Sequence, residues 1–220
     1  MTAMLPRTLE TELMDTPEEA QGYDAMDHSA VNRAFAADFL ALYRGIGPVL
    51  DVGTGTAQIP IEMVRQRESL GVVAVDAAEH MIALAEANVQ RAGMAGRVVP
   101  RLANARRLPW AMGHFPAVAS NSIVHHIPEP GPVLAEMARV LAPGGLLFVR
   151  DLLRPDSAAE AERLVSLHAA GATTHQRQMF RDSLHAALTV DEVRALVAPL
   201  GFADAVRRTS DRHWTLAGRR

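Results

Sequence analysis

Residues able to do chemistry gather at a few points of this 220-residue chain. Asp51-Val-Gly53-Thr54-Gly55-Thr-Ala57 sets a carboxylate ahead of a glycine-rich turn, and Asp76 follows Gly55 by twenty-one residues. Glycines in such a turn let backbone N–H groups approach a ligand closely, and an acid ending the next strand is placed to meet ribose hydroxyls. Asp51 stands where a pyrophosphate would otherwise dock, and Gln58 stands where the dinucleotide fingerprint carries its third glycine. A nucleoside bearing an ammonium therefore suits this turn better than one bearing phosphates.

A second cluster is His125-His126, just beyond Ala119-Ser-Asn121-Ser122. A histidine, with its reference pKa of about 6.5, can move a proton at neutral pH, so either is a candidate base. The alternatives are that one packs or caps the following turn while the other contacts cofactor backbone. His114, His125, His126 and Asp151 could converge on a metal, but neighbouring histidines in an extended segment point opposite ways, and no metal is expected.

Composition removes other chemistries. All 22 cationic residues are arginine, which excludes a Schiff-base lysine, pyridoxal phosphate attachment and the P-loop lysine. Without cysteine there is no thiolate nucleophile, iron–sulfur cluster, Cys-ligated zinc or disulfide. A net charge of −3 offers no broad field for nucleic acid, and Arg207, Arg208, Arg212, Arg219 and Arg220 read as a solvated edge. The first thirty residues lack the basic start and apolar run of a secretory signal, and no stretch reaches eighteen apolar residues. The expectation is a cytoplasmic protein without a membrane partner, working as a monomer or homodimer.

The elements that must hold these residues alternate. Short apolar runs at 48–53, 71–76, 97–102, 115–120 and 146–150 read as strands; 29–43, 58–66, 78–92 and 132–141 read as helices. Helices are also expected at about 156–170, 176–187 and 189–200, then a strand pair at 202–209 and 212–217. Strands apolar throughout, separated by helices, imply a parallel sheet covered on both faces. The fold expected is α/β: a Rossmann-like, mostly parallel seven-stranded sheet with an antiparallel last strand, over residues 46–220. Residues 1–45 form a helical extension or lid.

Ribose plus ammonium without phosphate describes S-adenosylmethionine, and with these motifs in order the chain resembles the class I S-adenosylmethionine-dependent methyltransferases from about Pro48 to Gly145. Val49 to Ala57 is similar to their first motif, with Ala57 where glycine is commonest. Val75-Asp76-Ala77-Ala-Glu-His-Met81 is similar to the second. The resemblance implies that Asp76 holds the ribose and that Ala77 and Met81 flank the adenine. Leu102-Ala-Asn104-Ala105 stands where Gly-Asp-Ala is frequent, so Asn104 replaces the aspartate that receives the adenine amino group; an amide oxygen can still accept it. The segment Ala119 to Pro130 resembles small-molecule enzymes of the ubiquinone and menaquinone type, and lacks the Asn-Pro-Pro-Tyr pattern of enzymes that methylate nucleobase amines. A small-molecule acceptor methylated at oxygen, carbon or nitrogen is implied, with nucleic acid disfavoured. Asp51, Gly53, Thr54, Gly55, Asp76, Ala77, Met81, Asn104, Ala105, Asn121 and Ser122 are the expected cofactor residues.

Selectivity should come from the decorations. By likeness, a helix carrying Tyr23 can fold over the cofactor, and Arg177 and Arg181 could clamp an acceptor carboxylate or phosphate, unless they serve as ordinary helix-surface pairs. The rival readings are a protein of the same fold that keeps the pocket without methyl transfer, and an NAD-dependent oxidoreductase.

Overall fold

The computed structural model describes residues 5–10 and 16–220. Strands β1 (Val49–Val52), β2 (Val72–Asp76), β3 (Val98–Leu102), β4 (Phe115–Asn121), β5 (Leu141–Leu152), β6 (Val206–Arg208) and β7 (His213–Arg219) form one sheet in the order β3-β2-β1-β4-β5-β7-β6. Pairing is parallel from β3 to β5, and β7 runs antiparallel to both its neighbours. The α/β architecture read from the sequence is therefore present, including the reversed last strand.

Side chains alternate across the strands. Val49, Val72, Ala74, Ala117, Ala119 and Phe148 face one layer, while Leu50, Val52, Val118, Leu147 and Val149 face the other. Helices α2 (Ser29–Leu42), α3 (Gln58–Gln66) and α4 (Glu79–Arg91) cover the first face. Phe35 and Phe39, one helical turn apart on α2, both meet Phe148 edge to face at 5.1 and 5.8 Å between centroids. On the other face lie α5 (Pro130–Val140) and α8 (Val190–Val197), packed around the fully buried Trp214. Helices α6 (Ala158–His168) and α7 (Thr174–Ala186) pair over a small core of their own, which includes Leu152 at the end of β5.

The stretch before β1 divides. Helix α2 is part of the sheet's covering layer, whereas α1 (Pro17–Asp24) and residues 5–10 lie over the carboxyl ends of the strands. A Thr16/Glu19 capping box starts α1, and Ala20 buries against Ala78 and Met81.

Several features differ from expectation. Strand β5 begins at Leu141 rather than 146, because extra residues bulge from β5 between Leu141, which pairs with Phe115, and Leu146, which pairs with Ala117. The strand expected over 202–209 shrinks to Val206–Arg208, since Phe202 is drawn into the core and Ala203–Ala205 turns as a 3-10 helix. His125 and His126 are not extended: Val124–His126 is a 3-10 turn.

Candidate functional site

The strand order reverses between β1 and β4, where ligands bind in open parallel sheets. The turn after β1 folds back on β2, with Gly53 and Thr54 N–H groups both donating to the Val75 carbonyl at 2.8 and 2.9 Å. Asp76 accepts from the Gly55 N–H at 2.8 Å and from the Ala78 N–H at 3.0 Å. Gly53, at φ +73°, leaves room for Ile123, which a Cβ there would meet at 2.1 Å. Ala57, at φ 61°, occupies the same left-handed region with a side chain.

A cleft opens along this edge. Gly53, Gly55, Asp76, Ala77, Met81, Asn104, Ala105, Asn121 and Ser122 all line it. The remaining two expected cofactor residues, Asp51 and Thr54, line an adjoining hollow that shares Gly53, Asn121 and Tyr23 with the cleft. Burial pushes the Asp51 carboxyl up to about 7, a shift that the Thr54 hydroxyl opposes and Asp76 reinforces. In the same hollow the Thr56 hydroxyl and His28 Nε2 are buried without hydrogen-bond partners among the described residues. Buried polar atoms left open around an acid call for a polar, cationic guest. In the cleft, the Asn104 amide oxygen accepts from the Arg106 N–H at 2.9 Å and keeps a second lone pair.

Helix α1 closes the hollow from above. Asp24 accepts from Gln58 Nε2 at 3.2 Å and from Asn88 Nδ2 at 2.8 Å, which ties α1 to α3 and α4. Gln58, distinctive in the sequence for not being glycine, is thus a latch residue. Tyr23 lines both cleft and hollow, its ring 3.6 Å from where a Gly55 Cβ would lie. Burial and then the neighbouring Asp76, Asp51 and Asp24 raise its phenol pKa, so it remains a donor.

The two histidines have different surroundings. His126 lines the cleft; His125 is 4% exposed and does not. His125 Nδ1 lies 2.5 Å from Asp151 Oδ1, and Asp151 also accepts from the Val124 and Leu152 N–H groups at 2.6 Å. Burial disfavours the imidazolium, but Asp151 and then Glu10 outweigh it and hold the His125 pKa above its ordinary value. Glu10 Oε1 approaches His126 Nδ1 to 3.0 Å and His125 Nε2 to 3.5 Å. The imidazole rings lie against each other with centroids 4.0 Å apart and planes tilted by 36°, rather than pointing in opposite directions. Arg7 anchors this strap: its guanidinium donates to the carbonyls of His125, Ile127, Pro128 and Ala186.

Beside the cleft, a cavity of about 750 Å³ lies between residues 8–10, α1 and α7, and Tyr23 borders both spaces. Arg181 lines this cavity, but its guanidinium is forked onto Glu162 of α6; Arg177 lines neither space. His114, one member of the metal set considered from sequence, instead meets Phe115 edge to face with centroids 4.7 Å apart. Arg7 and Glu10 escaped the sequence reading because nothing local marks them; Arg7 reaches carbonyls 118 to 179 residues away.

Comparison with known proteins decides the family. Residues 50–149 match the methyltransferase domain model. The chain is 30% identical over 172 residues to the ubiquinone/menaquinone biosynthesis C-methyltransferase UbiE of Geobacter sulfurreducens, covering 74% of this chain and 67% of that protein. The chain belongs to the S-adenosylmethionine-dependent methyltransferases. A malonyl-[acyl-carrier protein] O-methyltransferase of the same organism is 32% identical over 194 residues, 83% of this chain and 66% of that one. The chain thus spans about two thirds of the length of these methyltransferases. A methyltransferase structure from Aquifex aeolicus shares the fold at a TM-score of 0.66 with 19% identity, covering 92% of this chain and 97% of the other. This membership disposes of the NAD-dependent oxidoreductase. Among the described residues no helix is long and apolar enough to cross a membrane.

Proposed function

We propose that the cleft and hollow together bind S-adenosylmethionine, and that the protein methylates a small-molecule acceptor in the cytoplasm, at oxygen, carbon or nitrogen. The observation that carries this reading is the division of charge and shape along the β1–β2 edge: Asp76 at the cleft, buried Asp51 with unpartnered Thr56 and His28 in the adjoining hollow. Asp76 would take the ribose hydroxyls, Ala77 and Met81 the adenine faces, Asn104 the adenine amino group, and Asp51 the ammonium end. The Gly53–Gly55 turn and Thr54 shape the floor, and Asn121 and Ser122 the far wall. The cofactor supplies an electrophilic sulfonium methyl and leaves as S-adenosylhomocysteine.

The acceptor would enter through the cavity bordered by Tyr23 and Arg181 and meet the methyl group beside His126. Positioning supplies much of the rate of such a displacement, and Tyr23 and α1 exclude water from it. His126, with Glu10 against its Nδ1, activates the acceptor; His125, held by Asp151, is a positioning residue. Arg177, away from both spaces, has no part in this reading, and the printed substrates of the relatives serve only to place the acceptor among small molecules.

Calorimetric titration with S-adenosylmethionine and NADH tests the binding half, and S-adenosylhomocysteine release with candidate acceptors tests the transfer half. Tight NADH binding without S-adenosylmethionine binding would overturn the reading. Asp76→Ala should weaken S-adenosylmethionine binding by about 1.5–3 kcal/mol, the value of hydrogen bonds to a charged group, and unchanged affinity would refute the placement of the ribose.

The raised Asp51 pKa adds a pH prediction. A bound ammonium requires the ionised carboxylate, so affinity should rise roughly tenfold between pH 6 and 8 as Asp51 ionises near its folded pKa of about 7. Because that pKa is higher folded than unfolded, the folded ligand-free protein holds this proton more tightly. Its stability therefore falls as pH rises from about 4 towards 7. Asp51→Asn should remove both trends, measured as the difference from wild type in affinity and in melting temperature across pH.

A further inference from the structure

We infer that Glu10, His125 and His126 form a binding site for one divalent transition-metal ion at the acceptor end of the cleft. The inference deepens the reading above, resting on its placement of the acceptor beside His126.

One ligand atom from each residue, Glu10 Oε1, His125 Nε2 and His126 Nδ1, lies within 4.8 Å of the other two. The Glu10 oxygen stands 3.0 and 3.5 Å from the two ring nitrogens. With metal–ligand bonds of about 2.0–2.1 Å, the edges of a tetrahedron are about 3.3 Å, so both separations match those of ligands around an ion. Among the described residues Glu10 Oε1 is buried without a hydrogen-bond partner of good geometry, although it lies against His126 Nδ1. Three potential ligand atoms converge there.

The surroundings are those of a built site. Metal-bound histidines characteristically give their other ring N–H to a carboxylate, which fixes tautomer and orientation. Asp151 occupies that position on His125 Nδ1 at 2.5 Å, and two backbone N–H groups lock Asp151 in turn. The second oxygen of Glu10 accepts from the Ser183 hydroxyl at 3.2 Å. Arg7 pins the turn carrying both rings to the strap carrying Glu10. Two imidazoles and one carboxylate suit Zn²⁺ and its neighbours rather than Mg²⁺ or Ca²⁺, and three protein ligands leave a position open. His126 lines the cleft and Glu10 lines the neighbouring cavity, so that position faces the space between them. An ion held there would act as a Lewis acid and make an acceptor hydroxyl easier to deprotonate.

The test needs neither cofactor nor acceptor. Demetallated full-length protein is titrated with Zn²⁺ and Co²⁺ by calorimetry, and the Co²⁺ form is examined for visible d–d absorption. One equivalent should bind with the spectrum of a site of low coordination number. Glu10→Gln, which keeps size and fold, should weaken binding at least tenfold, and Asp151→Asn 10- to 100-fold through the lost outer contact. Asp76→Ala should keep the ion while losing S-adenosylmethionine affinity. Wild-type protein that takes up neither ion, or uptake that Glu10→Gln and His126→Ala leave unchanged, overturns the inference. Protein that binds S-adenosylmethionine but no ion removes the metal site alone; ion binding without S-adenosylmethionine binding supports the metal site and removes the cofactor reading.

Discussion

Replacing His126 with alanine is expected to lower kcat by about 10²- to 10⁴-fold, the usual worth of a group that activates a nucleophile, while leaving S-adenosylmethionine affinity unchanged. The separation of effects follows from position. His126 reaches the cleft from the 3-10 turn after β4, on Glu10's side of the site, whereas Asp76, Asn104 and Asp51 approach from the β1–β3 strand ends. His125→Ala should instead affect both turnover and stability, because it leaves Asp151 buried with only its two backbone partners. Single-turnover kinetics beside equilibrium binding distinguish the two residues. Full turnover in His126→Ala would remove that residue from the reaction.

Gly53→Ala should be the most damaging small substitution for the fold. The new methyl would lie 2.1 Å from Ile123 Cγ2 and 2.8 Å from Cδ1, so Ile123 must move, and the backbone at φ +73° disfavours any side chain. Overpacking costs about 1–3 kcal/mol and a left-handed conformation about 1–2 kcal/mol, for a total of about 2–5 kcal/mol. For a domain of this size that lowers Tm on the order of 10 °C. The clash and the backbone cost can be separated: Ile123→Ala placed in the Gly53→Ala background should recover part of the loss, and strict additivity of the two substitutions would refute the proposed contact.

Most of the sheet was legible because its strands announce themselves twice, by apolar runs and by the acids and glycines at their carboxyl ends. Helix Gln58–Gln66 was read to the residue, since Arg67 leaves helical geometry there. The gathering of Asp51, the glycines and Asp76 along one edge was legible for the same reason: they come from consecutive strand ends, so spacing along the chain maps onto spacing in space. Where that mapping fails, so did the reading. An extended histidine pair would turn its rings to opposite sides, but the 3-10 turn brings them together at a tilt. Glu10 and Arg7 act across more than a hundred residues, and nothing in the sequence near them shows what they touch. Arg181 looked available for an acceptor until Glu162, nineteen residues away, occupied it.

The amide grip on Asp24 carries a consequence for turnover. Gln58 and Asn88 hold the helix whose tyrosine borders both cleft and hollow. If the nucleoside sits beneath this helix as proposed, loosening those two contacts should quicken its exit, and the tempo of repeated cycles would then depend on the fastening above as well as on the reaction beneath it.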